Sequence, residues 1–219
     1  MELNEKELYN NFKKLISSLK ENSETKPKIL LHACCAPCSS ACLERICDAF
    51  NISIFYSNDN IQPEEEYNKR LETIKEFMAK AHNDIDVLND KYNAKDYDDA
   101  ILGHEHDGER SYRCYLCYKL RLRKTAIYAK AHGYDYFSTT LSISPYKVSK
   151  WINQIGFELE KEIGIKYLYS DFKKENGYNR SIELSNEYGL YRQDYCGCVY
   201  SKEERDEARN ARRNKEDNN

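Results

Sequence analysis

Lys28-Ile29-Leu30-Leu31-His32-Ala33-Cys34-Cys35-Ala36-Pro37-Cys38-Ser39 is the stretch that decides how this chain folds. Its first half is an apolar run of strand length. Its second half is a turn whose proline suits the first turn of a helix. A buried strand feeding a helix in this way is the opening half of a βαβ unit. The pattern repeats outward from it. Upstream, Leu8, Phe12, Leu15, Ile16 and Leu19 recur at helical spacing and predict an amphipathic helix over 4–21, broken by Asn22 through Pro27. Downstream, residues 39–50 read as helix and Ile52 to Tyr56 as a second strand. Pro63 with Glu64, Glu65 and Glu66 opens a helix, because acids favour the positive helix end. Ile85 to Leu88 reads as a third strand, 115–132 as a helix stopped by Gly133, and Tyr134 to Ser138 as a fourth strand. A helix over 146–162, a fifth strand from Lys166 to Tyr169 and a short helix over 180–189 complete the series.

Strands alternating with helices predict an α/β fold, a parallel sheet with helices on both faces. The expected organisation is an N-terminal helix over 1–27, one domain over 28–201 and a charged tail over 202–219, read as a solvated helix or a disordered segment. Sites in such sheets lie at the carboxyl ends of the strands. The Cys34 group follows strand one directly. The loops Ser57-Asn58-Asp59-Asn60 and Ser138-Thr139-Thr140-Leu141 follow strands two and four and can reach the same edge.

The chain has 219 residues, 40% hydrophobic and 32% charged, which suits one substantial globular domain. No run approaches the ~18 apolar residues of a membrane span. Met1-Glu2-Leu3-Asn4-Glu5-Lys6 has no signal-peptide pattern. The expectation is a cytoplasmic protein, off the membrane and monomeric. A net charge of −3 argues against nonspecific nucleic-acid binding but leaves room for a tRNA-acting enzyme with a local basic face. The 19 tyrosines read mainly as core-edge residues, many of them at helical spacing.

Nine cysteines are present, and seven of them fall in three groups: Cys34, Cys35 and Cys38; Cys114 and Cys117; Cys196 and Cys198. In a reducing compartment, clustered thiols point to metal or redox chemistry. The first group lies at a helix N-terminus, where thiolate is favoured. Cys114 and Cys117 can bite one metal, and with Cys34 and Cys35 they make four thiolates able to hold zinc or an iron–sulfur cluster. Cys196-Gly197-Cys198 reads as a redox pair, with extra metal ligands as the competing reading. Cys42 and Cys47 read as core filling. His104-Glu105-His106-Asp107 reads as a solvated loop. The run Lys119, Arg121, Arg123 and Lys124 reads as a solvated helix face, with a phosphate-contacting patch as the alternative.

Four segments with their surroundings resemble the QueH family of epoxyqueuosine reductases. They are Leu31 through Ser39, Glu109-Arg110 before Cys114-Tyr115-Leu116-Cys117-Tyr118, Thr139 through Lys147, and Leu190 through Cys198. The resemblance spans roughly residues 28–201. It implies a three-layer Rossmann-like (HUP-like) fold and reduction of epoxyqueuosine to queuosine at the wobble position of tRNA. It also implies a 4Fe–4S cluster and, as in some members, a second mononuclear iron. By position, the cluster ligands would be Cys34, Cys35, Cys114 and Cys117. Cys38, where some members carry aspartate, would reach the second metal, and Cys196 with Cys198 would be the redox disulfide. Expected substrate contacts are Thr139, Thr140, Ser144, Tyr146, Lys147, Tyr191 and Arg192. The proton for the epoxide oxygen would come from Tyr195, Asp194 or Lys147. An electron donor of unidentified nature completes the partners. The chain departs from the family in reading Asn58-Asp59-Asn60-Ile61-Gln62-Pro63 after strand two, where Asn-Pro-Asn-Ile-His-Pro is usual. Two other readings stand beside this one. A thiol-dependent sulfur transferase on the same fold would want a glycine-rich phosphate loop after strand one, and this turn has no glycine. A zinc-stabilised binding module would have no chemistry.

Overall fold

The computed structural model describes residues 4–21 and 25–216. Residues 22–24, part of the predicted helix break, and 217–219 of the tail lie outside the described residues, as do 1–3. Five strands, β1 (Lys28–His32), β2 (Asn51–Tyr56), β3 (Asp86–Asn89), β4 (Tyr136–Thr139) and β5 (Lys166–Tyr167), form one sheet in the order β3-β2-β1-β4-β5. Every pairing is parallel; Leu31, for example, is in register with Ile54 on one side and Ser138 on the other. The helices are α1 (Glu5–Glu21), α2 (Ala36–Ile46), α3 (Glu64–Ala81), α4 (Ala94–Ala100), α5 (Tyr112–Ala131), α6 (Ser149–Leu159), α7 (Gly177–Glu187) and α8 (Val199–Glu216).

The strand period of two divides the core between two faces. Ile29 and Leu31 of β1 pack with Phe12 of α1, Leu43 of α2, Ile74 of α3 and Leu184 of α7. Leu30, between them in sequence, packs on the other side with Leu122 of α5 and Ile152 of α6. All three β1 side chains are fully buried, each worth about 1.5–3 kcal/mol of transfer from water. The result is the expected three-layer, Rossmann-like α/β sandwich. In the order 3-2-1-4-5 the chain reverses direction across the sheet between β1 and β4, and ligands of such sheets bind at the carboxyl end of that junction.

Several element bounds differ from the sequence expectation, each for a local reason. The second helix starts at Ala36 because Cys35 caps it, its sulfur accepting from the Cys38 backbone N–H at 3.4 Å. The fifth helix begins at Tyr112, so Cys114 and Cys117 stand one turn apart on a helix. The sixth begins only at Ser149, leaving Ser144 to Lys147 as loop. Helix α4 was not anticipated: its seven residues bury only Tyr97, too little for a period to show. Most of the charged tail forms helix α8 (Val199–Glu216), whose Glu204 reaches the buried Arg113 at 3.0 Å. Among the described residues no helix is long and apolar enough to cross a membrane.

Candidate thiol-rich active site

At the carboxyl end of β1 the chain runs through Ala33 into three cysteines. The sulfurs of Cys34, Cys35 and Cys38 all lie within 4.8 Å of one another, with Cys34 and Cys35 at 3.9 Å. Among the described residues this is the one tight group of metal-ligating side chains. Gln193 donates its Nε2 to the Cys35 sulfur at 3.1 Å, tying the fourth motif to the first. Hydrogen bonds from Cys35 and Cys38, helped by the charges of Lys147 and Arg121, hold the Cys34 thiol well below the ordinary range. Burial pushes Cys35 up to about 12. The hydrogen bonds to Cys34 and Cys35 drive Cys38 well above its usual value. The trio therefore shares negative charge, most favourably on Cys34.

Cys114 and Cys117 stand outside that 4.8 Å group. Cys114 packs against the same apolar cluster as Cys34 and Cys35, whereas Cys117 is buried beside Cys198, Tyr97 and Ile101. Burial raises both thiols, Cys117 to about 12. Cys196 and Cys198 are both free thiols and differ in setting. The Cys196 sulfur is 3.5 Å from the Lys147 ammonium. Cys198 precedes α8 and its sulfur accepts from the Ser201 backbone N–H at 3.4 Å. Gly197 between them has φ +134°, and a Cβ there would meet Ile61 at 3.0 Å and Asn60 at 3.2 Å. Its carbonyl accepts from the Gln62 N–H at 2.9 Å. Only glycine suits both that conformation and that space.

A cleft of about 380 Å³ opens over this edge, and Cys38, Cys114, Ser144, Lys147, Arg192 and Cys196 are among its walls. All four quoted segments, three of them carrying cysteines, thus meet at one place. Tyr146, also on the wall, is 67% exposed. The other expected substrate contacts sit elsewhere. Thr139 is fully buried, its hydroxyl bonded to His32 Nδ1 at 2.9 Å, and Thr140 is fully buried too. Tyr191 donates to Glu66 at 3.0 Å. Of the three protic candidates, all on the cleft wall, Tyr195 spends its hydroxyl proton on the Gln62 carbonyl at 2.8 Å. Asp194 is ionised: slight burial works against its charge, but Arg205 and Arg209 hold its carboxyl below the usual range. Burial likewise works against the charge of Lys147, yet Cys196 and Cys34 lift its pKa well above the ordinary lysine value. Of the three, Lys147 directs its Nζ to another residue of the cleft wall, the Cys196 sulfur, at 3.5 Å.

The basic run on α5 is not one face, because successive positions on a helix turn by about 100°. Lys119 is exposed. Arg121 is 2% exposed and points at Cys117. Arg123 pairs with Glu162 at 2.6 Å, and Lys124 lies 2.6 Å from both Asp59 and Asp96. His104 bonds Asp107 at 3.0 Å in a surface loop, as a solvated tract would. Cys42 is fully buried in the core on the far face of the sheet, and Cys47 packs against that core. Sequence reasoning missed Gln193, Asn58 and Arg70 as site residues. Gln193 lies inside a quoted motif and Asn58 in a loop already expected at this edge, so position was the available signal. Arg70 has none.

Soft sulfur donors in three converging groups, beside two cations, fit a thiolate-held metal or cluster. Thiols gathered at the switch point of a parallel α/β sheet make a site able to hold a metal ion. The chain belongs to the QueH family: the family model described as "Epoxyqueuosine reductase QueH" matches residues 29–204. Curated relatives of that same name include one from Streptococcus pyogenes serotype M1, 41% identical over 205 residues, covering 92% of this chain and 80% of the relative. One from Staphylococcus epidermidis is 39% identical over 198 residues, covering 86% of this chain and 82% of its own. One from Thermotoga maritima is 37% identical over 182 residues, covering 82% and 92%.

Proposed function

We propose that this chain reduces epoxyqueuosine to queuosine at the anticodon wobble position of tRNA. A 4Fe–4S cluster would be held by Cys34, Cys35, Cys114 and Cys117, with a second, mononuclear iron reached by Cys38. What supports the reading is the single cleft in which Cys38, Cys114, Lys147 and Cys196 meet, in a chain of this family. Opening the epoxide to an alkene consumes two electrons and two protons and releases the oxygen as water. The bound cluster would supply electrons one at a time. Cys196 and Cys198 as a dithiol hold two electrons and two protons, released when the S–S bond forms. Lys147 offers a proton at Nζ to the departing oxygen, since Tyr195 and Asp194 are committed elsewhere. Tyr146 presents an open ring on which an unstacked base can lie, and Ser144 and Arg192 offer polar contacts beside it.

The unit carrying this chemistry would be residues 28–201, flanked by the N-terminal helix and the charged tail. Electrons enter from an external donor, and a tRNA substrate makes the cytoplasm the working compartment. The test is anaerobic single-turnover reduction of epoxyqueuosine-containing tRNA with dithionite, followed by nucleoside mass spectrometry. Protein replete in iron and sulfide that forms no queuosine would overturn the reading. Reduction of the free nucleoside alone would remove tRNA from the substrate while leaving the chemistry.

A further inference from the structure

We propose that Arg121 is the buried counter-charge of the thiol centre, a positioning residue that acts through Cys117 to stabilise the centre's more negative, reduced state. The inference rests on the cluster reading above and concerns a residue outside its ligands. Arg121 is 2% exposed. Taking a guanidinium out of water costs several kcal/mol unless negative charge compensates it. No carboxylate does so among the described residues. Its Nη2 donates to the neutral Asn58 Oδ1 at 2.5 Å, its Nη1 faces the Cys117 sulfur at 3.9 Å, and its Nε has no partner. Cys34 and Cys196 add to the negative potential around it. His32, fully buried at the same edge, has both ring nitrogens in contact with neutral oxygens, Nδ1 with the Thr139 hydroxyl at 2.9 Å and Nε2 with the Ser57 carbonyl at 3.2 Å.

Lys147 is in the same position, with the Cys196 sulfur 3.5 Å away and no carboxylate in reach among the described residues. Among the described residues, the interior of this edge therefore holds two cations, Arg121 and Lys147, with sulfurs and no carboxylate beside them. Four thiolates around a doubly positive core would carry two negative charges, and Arg121 beside Cys117 would offset part of them. A fixed cation in a low-dielectric site favours whichever redox state is more negative. Beside a bound cluster, the Arg121 charge would favour the state that carries one more electron.

A second role has to be separated from this one. Arg121 also holds Asn58, whose Nδ2 donates to the Ala33 carbonyl at 2.8 Å, next to Cys34. A purely mechanical relay would need the planar fork and not the charge. Two variants divide the possibilities: Arg121→Lys keeps the charge without the fork, and Arg121→Gln keeps a hydrogen-bonding group without the charge. Both are reconstituted anaerobically with wild type. Iron, sulfide and thermal unfolding are measured, and the midpoint potential is read by optical titration with dithionite and mediators. The expected result is a potential shifted negative in Arg121→Gln and close to wild type in Arg121→Lys. Loading of the lysine variant but not the glutamine one supports the same conclusion, because both lack the fork and only lysine keeps the charge. An unchanged potential in Arg121→Gln overturns the proposal. Equal shifts in the two variants, or loss of cluster from both in folded protein, overturn it in favour of the mechanical role. Wild-type protein that takes up no iron or sulfide instead overturns the cluster reading, and the potential claim with it.

Discussion

The Arg70 guanidinium donates to the Cys196 carbonyl at 3.1 Å, so a helix on one face of the sheet holds the backbone of the Cys-Gly-Cys loop. The same side chain approaches the Tyr195 carbonyl at 3.4 Å and pairs with Glu66 at 2.7 Å, with no exposed surface of its own. Glu66 in turn accepts from Tyr191, so α3 fastens both ends of the fourth motif. Replacing Arg70 by methionine leaves Glu66 and two carbonyls short of a partner. We expect a loss of about 3–5 kcal/mol, the range for breaking one side of a buried ion pair, measured by urea unfolding. A loss under about 1 kcal/mol, the range of exposed pairs, would show that solvent replaces the arginine at no cost.

Gly197→Ala should disturb the same loop from the inside. Its φ of +134° disfavours any side chain, and the new methyl would press on Ile61, Asn60 and the Arg70 guanidinium at 3.0–3.3 Å. Strain of this kind costs on the order of 1–3 kcal/mol. The expected outcome is a folded protein of lower melting temperature whose Cys196 reacts with iodoacetamide at a changed rate, read by peptide mass spectrometry. An unchanged rate and melting temperature would mean that the loop relaxes freely.

Cysteine substitutions should sort by face of the sheet. Cys42 lies in the core opposite the thiol site, so Cys42→Ala should keep full iron and sulfide and cost on the order of 1 kcal/mol for the small void. Alanine at Cys34, Cys35, Cys114 or Cys117 should deplete both. If all four variants keep a full complement, the proposed ligand set is wrong.

Cys198→Ser should keep the cluster absorption and lose turnover, as expected of a redox partner that is not a ligand. Disappearance of the absorption in this variant would make Cys198 a ligand instead.

Asp194→Asn should loosen α8. The carboxylate accepts from Arg209 at 2.7 Å and from Arg205, whose guanidinium also lies over the Tyr195 ring. Hydrogen exchange across 205–214 should quicken in the variant while exchange in β1 stays unchanged. Because the aspartate's pKa is depressed in the folded protein, the wild-type contact should persist at mildly acidic pH. It should weaken only as pH falls through that lowered value. Equal exchange in both proteins at neutral pH would show that other contacts seat the helix.

Much of this architecture is readable along the chain because it rests on local patterns. β1 shows itself as an apolar run and α1 as a period near 3.6, while the helix after β1, expected at 39–50, starts at Ala36, where Cys35 caps it. Three groups of clustered thiols, one of three and two of two, single out the candidate site by residue type alone. Sequence by itself thus determined the parallel α/β class, the strand that leads into the site and the thiols gathered there. Direction around a helix axis relative to a distant sheet is not a local property. Lys119, Arg121, Arg123 and Lys124 look alike as a basic run, yet packing of α5 sends Arg121 inward to Cys117 and Lys124 to Asp59 and Asp96. The bonds from Arg70 to Cys196 and from Gln193 to Cys35 join residues more than a hundred positions apart. Only the tertiary structure decided them, because a buried charge or amide takes whichever partner the closed sheet brings within about 3 Å, and no sequence spacing encodes that encounter.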